Sequence, residues 1–123
     1  MTERNDFLET VDLNLRAARA AARALDEKFG QDVVVLDITK ISVLADYFVI
    51  TSGNNPSQIQ AMTEACEEAA AAAGLTLKHS EGRNDSSWCL LDFGTVIVHI
   101  FLKEAREFYN LERVWADASA VSP

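Results

Sequence analysis

The chain has 123 residues, 49% hydrophobic and 24% charged, with two cysteines and a formal charge of −8 at pH 7. That length predicts one domain able to bury a core without disulfides or a structural metal. Residues 31–123 carry 13 acidic against 6 basic side chains, which argues against a surface that grips nucleic-acid phosphates and leaves solvent or a basic partner to face the acid.

In chain order, residues 7–29 read as an amphipathic helix. Leu8, Val11, Leu15, Ala18, Ala22, Leu25 and Phe29 recur at alternating steps of three and four and form one stripe. Asp12, Arg16, Arg19, Arg23 and Glu27 fall on the reverse face, where interleaved acids favour a solvated surface over an RNA-contacting one. Gly30 is the expected stop. Val33 to Ile38 is a short apolar run suited to a strand covered on both sides, and Asp46 to Ser52 is a second strand rich in β-branched and aromatic residues.

The turn from Gly53 to Pro56 then opens a helix, with Asn55 as N-cap and Pro56 in the first turn. Ile59, Met62, Cys66, Ala69 and Ala73 make its buried stripe, and Gly74 closes it. Leu75 to His79 reads as a brief strand and Ser80 to Ser87 as a polar loop. Trp88 to Phe93 and Val96 to Leu102 are strands joined at Gly94-Thr95. A last helix is expected from Lys103 to Trp115, and Ala116 to Pro123 as a loose tail. This order predicts an α/β domain with one mixed sheet of about five strands flanked by helices.

No apolar run approaches the ~20 residues of a membrane span. The first residues lack the apolar core of a signal peptide, so a cytoplasmic location is expected. Cys66 and Cys89 sit within apolar patterns and are expected to be buried, reduced thiols; with two histidines scattered among them, neither metal nor cofactor is expected. Ser52-Gly53-Asn54-Asn55 stands where phosphate loops occur but lacks their glycine and lysine spacing, and helix capping explains it. Asp92-Phe93-Gly94 matches a kinase triplet in a chain too short for a kinase. Two-metal phosphoryl transfer would need carboxylates converging from adjacent strands, here Asp37, Asp46 and Asp92. The usual Asp-x-Asp pair is missing from the sequence.

The hairpin is more informative. A two-residue turn at Gly94-Thr95 pairs Phe93 with Val96, Asp92 with Ile97, Leu90 with His99 and Trp88 with Phe101. Strand parity then puts Cys89, Leu91, Phe93, Val96, Val98 and Ile100 on a uniformly apolar face, which must be core. The other face mixes Trp88, Leu90, Asp92, Ile97, His99 and Phe101. Two readings of it stay open: the centre of an interface, or a helix-covered face in which Asp92 and His99 satisfy each other or a backbone group.

Four stretches resemble the ribosomal silencing factor family, also called the Iojap family. They are Asp37-Ile-Thr through Ala45-Asp-Tyr-Phe-Val-Ile-Thr-Ser-Gly53, Glu81-Gly-Arg-Asn-Asp-Ser-Ser-Trp88, Leu91-Asp-Phe-Gly-Thr-Val-Ile-Val-His99, and Tyr109-Asn-Leu-Glu-Arg-Val-Trp115. The resemblance covers residues 15–115 and leaves residues 1–14 as an N-terminal extension outside it. It implies a nucleotidyltransferase-like fold without the enzyme's activity. It also implies a repressor of translation that binds the large ribosomal subunit through ribosomal protein L-fourteen and blocks joining of the small subunit. The acidic residues of the chain are expected to steer association toward a basic ribosomal protein. Homodimers occur in the family, so self-association is a further implication. The family's interaction surface carries over to Trp88, Asp92, His99 and Tyr109, while Leu90 and Phe101 join it by strand parity. A large-subunit assembly factor is the main alternative, and a metal-dependent enzyme using the three aspartates a more distant one.

Overall fold

A computed structural model describes the backbone of residues 2–83, 87–109 and 119–121, and the side chains of 13–83, 87–107 and 120–121. The elements are α1 (Thr2–Glu27), β1 (Gln31–Asp37), β2 (Tyr47–Gly53), α2 (Pro56–Ala72) and β3 (His79–Glu81). They continue with β4 (Trp88–Asp92), β5 (Val96–Leu102), α3 (Lys103–Tyr109) and β6 (Ser119–Val121). The six strands form one sheet in the order β3-β4-β5-β2-β1-β6. β2 and β5 pair in parallel; the other neighbours are antiparallel. All seven residues of β2 are buried, as a central strand covered on both faces requires.

One face of the sheet packs against α1 and α2. Ala18, Ala21, Ala22 and Leu25 of α1 meet Ile59, Met62, Cys66 and Ala70 of α2 over Val35, Val49, Cys89, Leu91, Val98 and Ile100. The alanines of α1 let the helix lie close to its neighbours, and the buried arc is wider than the single predicted stripe because Ala17 and Ala21 join it. The opposite face carries a second cluster of Leu36, Ile38, Ala45, Phe48, Ile50, Phe101 and Ala105, the last from α3.

Helix α2 starts and stops as its residues dictate. Asn55 accepts the amide of Gln58 at 2.9 Å. Gly74 takes the left-handed conformation (φ 95°), with Gly74 and Leu75 amides returning to Ala71 and Ala70 carbonyls. The hairpin has the expected pairing from Trp88 opposite Phe101 to Asp92 opposite Ile97. The face of Cys89, Leu91, Phe93, Val96, Val98 and Ile100 is buried throughout.

Four expectations need correction. Helix α1 ends at Glu27, two residues before the expected Phe29: Phe29, not Gly30, takes the left-handed conformation, and its side chain is 83% exposed instead of completing the stripe. Residues 75–78 are not a strand, because Leu75 and Leu77 pack on the core from outside the ladder, and pairing begins at His79. Part of the polar loop, Ser80 and Glu81, therefore belongs to β3. Part of the segment expected to be a loose tail is a sixth strand, with Leu36 opposite Ala120 and Val121 packed on the core. The expected boundary at residues 14 and 15 falls within α1, and Asn14 is buried. The helix expected from Lys103 to Trp115 is seen as far as Tyr109; residues 110–118 lie outside the described part.

Candidate partner-binding face

The second face of the sheet is built from cross-strand rows, since residues opposite one another in register point the same way. One row runs Asp92, Ile97, Phe48, Leu36; the next runs Leu90, His99, Ile50, Val34; a third runs Trp88, Phe101, Ser52. Five of the six residues expected to bind a partner thus share one face. The sixth, Tyr109, closes α3, and its side chain lies outside the described residues.

The aromatic groups of this face pack on each other. Trp88 and Phe101 have ring centroids 4.9 Å apart, and Phe48 meets the edge of His99 at 4.9 Å. Trp88, Leu90 and Asp92 are half-buried, whereas His99 is 5% exposed and Phe101 has no exposed surface. Phe101 therefore backs the face and presents Trp88 in front of it; it offers nothing to a docking surface directly. Phe48, Leu36 and Ile50 are part of the face but escaped strand-parity reasoning. The alternation in Asp46 to Ser52 puts Phe48 and Ile50 on one side, yet only the β2–β5 register joins them to the hairpin.

Asp92 and His99 do not satisfy each other. Asp92 Oδ1 accepts the amide of Gly94 at 2.7 Å, so the carboxylate orders the hairpin turn. The indole N–H of Trp88 donates to Nδ1 of His99 at 3.1 Å. An accepting Nδ1 leaves the neutral ring's proton on Nε2, which is buried and has no partner among the described residues. Burial lowers the His99 pKa to about 4, so the imidazole is neutral near pH 7.

Each of the three candidate metal carboxylates has a hydrogen-bond partner of its own. Asp37 Oδ1 accepts the amide and hydroxyl of Thr39 at 2.9 and 2.6 Å. Asp46 Oδ2 accepts the amide side chain of Asn14 at 3.1 Å, and Asn14 Oδ1 in turn accepts the Thr95 hydroxyl at 3.0 Å. Among the described residues no group of three or more His, Cys, Asp or Glu side chains is arranged to hold a metal ion. No helix among them is long and apolar enough to cross a membrane.

The loop between β1 and β2 brings a feature that the spacing of residues did not reveal. Val43 is fully exposed, Leu44 is 80% exposed and Ile41 41%. Their neighbours Ile38 and Ala45 are buried in the second-face cluster, so the loop rises from the rim of that face.

Comparison with known proteins supplies the family. Residues 12–123 match the family model described as ribosomal silencing factor during starvation. The chain is similar to the ribosomal silencing factor of Bacillus subtilis, with 42% identity over 100 residues, covering 81% of this chain and 85% of that protein. It is 30% identical over 101 residues to the mouse protein named "Mitochondrial assembly of ribosomal large subunit protein 1", covering 74% of this chain and 41% of the mouse protein. The fold is similar to a crystal structure of a Chromobacterium violaceum protein, with TM-score 0.79 and 28% identity, covering 83% of this chain and 85% of that one.

Proposed function

Because this chain belongs to the ribosomal silencing factor family, we propose that it represses translation by occupying the large ribosomal subunit, through ribosomal protein L-fourteen, and so keeping the small subunit from joining. The observation that carries this reading is the family match, which spans residues 12–123 and so includes the whole sheet and every residue of the second face. The chemistry of that face supports it. A half-buried indole is held in one orientation by a buried imidazole and packed on Phe101, in a domain that is acidic overall. Rigid aromatic anchors on an acidic domain suit the basic surface of a ribosomal protein better than they suit RNA. The action is regulatory and needs no catalytic step, cofactor or metal; Asp37 and Asp92 order a loop and a turn, and Asp46 is tied to α1 through Asn14.

Co-sedimentation with purified large subunits tests the reading. Wild type should pellet with them, and Trp88→Ala should weaken binding by ~30-fold or more, corresponding to about 2 kcal/mol, the size of an interface hot spot. Thermal unfolding of the variant, run in parallel, shows whether the loss is one of folding. A folded Trp88→Ala protein that binds as wild type does would remove the second face from the site.

A second reading, assembly of the large subunit, is favoured by the likeness to the mouse protein named for that process, of whose length the chain spans 41%. It uses the same partner and the same face. Failure of large-subunit maturation in cells lacking the protein under rich growth, when silencing is not called for, would favour assembly over silencing.

A further inference from the structure

The face described above leaves unexplained why the β1–β2 loop holds large aliphatic side chains in water. The loop is no slack connection. The Ile38 amide bonds to the Asp46 carbonyl at 2.9 Å and closes its base. Ile41 and Ser42 amides return to the Ile38 carbonyl at 3.1 and 2.9 Å, and the Leu44 amide bonds to the Ser42 hydroxyl at 3.0 Å. Asp37 fixes Thr39 on the first limb. With the backbone so tied, Val43 and Leu44 cannot readily turn inward, and neither gains from burial in the monomer. Isolated apolar residues are ordinary on a surface, but two adjacent ones at a stiff tip, with Ile41 beside them, are a contact in waiting.

Position and charge say what fits there. Ile38 and Ala45 root the loop in the second-face cluster, and the row of Ile97, Phe48 and Leu36 runs across the sheet toward that root. The base of the loop thus adjoins the docking face. Asp37 and Asp46 flank the loop's two limbs, with Lys40 the one cation between them. Residues 31–123 as a whole carry 13 acidic against 6 basic side chains. An apolar centre within an acidic rim complements an apolar depression within a basic rim. A phosphate backbone offers nothing for aliphatic side chains to bury.

We propose that Val43 and Leu44 form a second anchor that seats in an apolar depression on the same basic protein partner, alongside the Trp88 face. The anchor deepens the function proposed above and rests on it. Both side chains are exposed, so Val43→Ser/Leu44→Ser should leave the melting temperature unchanged. In a co-sedimentation titration with purified large subunits, the double variant should bind about tenfold or more weakly than wild type. Equal affinity of the double variant and wild type, with Trp88→Ala weakened in the same series, would overturn the second anchor and leave the proposed function standing. Wild type that does not bind large subunits at all would overturn both. Sedimentation equilibrium separates the remaining case: self-association in wild type that the double variant loses, with subunit binding intact, would assign the tip to a second copy and refute the proposal.

Discussion

The indole N–H of Trp88 donates to Nδ1 of His99 at 3.1 Å although the two are not opposite each other in the hairpin; Trp88 faces Phe101 and His99 faces Leu90. The bond runs diagonally across β4 and β5, a reach open to long aromatic side chains. It ties the exposed edge of the second face to its buried interior and fixes one tautomer of the imidazole.

That arrangement works only with a neutral ring, so it sets a pH window. The folded pKa of His99 lies at about 4, lowered from 6.5 by burial. The unfolded chain therefore takes up the proton first as pH falls. The stability tied to the neutral ring is fully present above pH 6.5 and is lost progressively down to about 4, by on the order of 3 kcal/mol. His99→Gln, whose side-chain oxygen still accepts from Trp88, should lack this component. Urea unfolding of both proteins between about pH 6.5 and 4.5 checks it, because carboxylate titration common to the two cancels in the difference. Parallel losses of stability in the two proteins would show that His99 does not titrate in this window.

Phe29 is where the chain departs from its own better solution. Gly30 and Phe29 amides bond back to Leu25 and Asp26 carbonyls at 2.9 Å each, the same pair of bonds that ends α2 at Gly74. The left-handed position is a glycine in one helix and a phenylalanine in the other. A side chain there costs about 1 kcal/mol, and Phe29, 83% exposed, recovers little of it by packing. Phe29→Gly should therefore raise stability by about 1 kcal/mol in urea unfolding, less what the glycine adds to unfolded-state entropy. A clear loss of stability would mean that the exposed ring has a packing partner.

The two thiols are placed to be inert. Burial, with the neighbouring Cys89 adding to it, pushes Cys66 up to about 12, and burial also raises Cys89 against the opposing effects of the Thr63 hydroxyl and Arg83. At pH 8 a thiol with a pKa near 12 is ionised on the order of one part in ten thousand. A thiol-reactive disulfide reagent at pH 8 should leave both cysteines unmodified in the native protein and label both in urea. Fast native labelling of either would place it at the surface.

What could be read from residue order was whatever local chemistry decides. The hairpin register followed from Gly94-Thr95 and alternation, and the α2 caps followed from Asn55 and Gly74. Gly30 misled by one position. It sits where a side chain would meet the Thr51 hydroxyl and the Leu25 carbonyl within 3 Å, a close approach that local spacing does not reveal. Leu75 and Leu77 alternate like a strand but find their burial without a ladder. Ser119 to Val121 is too short to announce itself, and its partner β1 lies some 80 residues earlier in the chain. For the second face, parity chose its members but not their depth. The burial of His99 and Phe101 depends on Phe48, Ile50 and the β2–β5 pairing, which no local pattern encodes.

Subunit joining is the step on which the proposed function stands or falls. Purified large subunits, incubated with the protein and then mixed with small subunits, can be followed by light scattering as the two associate. The account predicts that wild type suppresses the rise in scattering in proportion to the large subunits it occupies, and that Trp88→Ala restores it. Normal joining with every large subunit occupied would contradict the claim that this protein silences by blocking the joining surface.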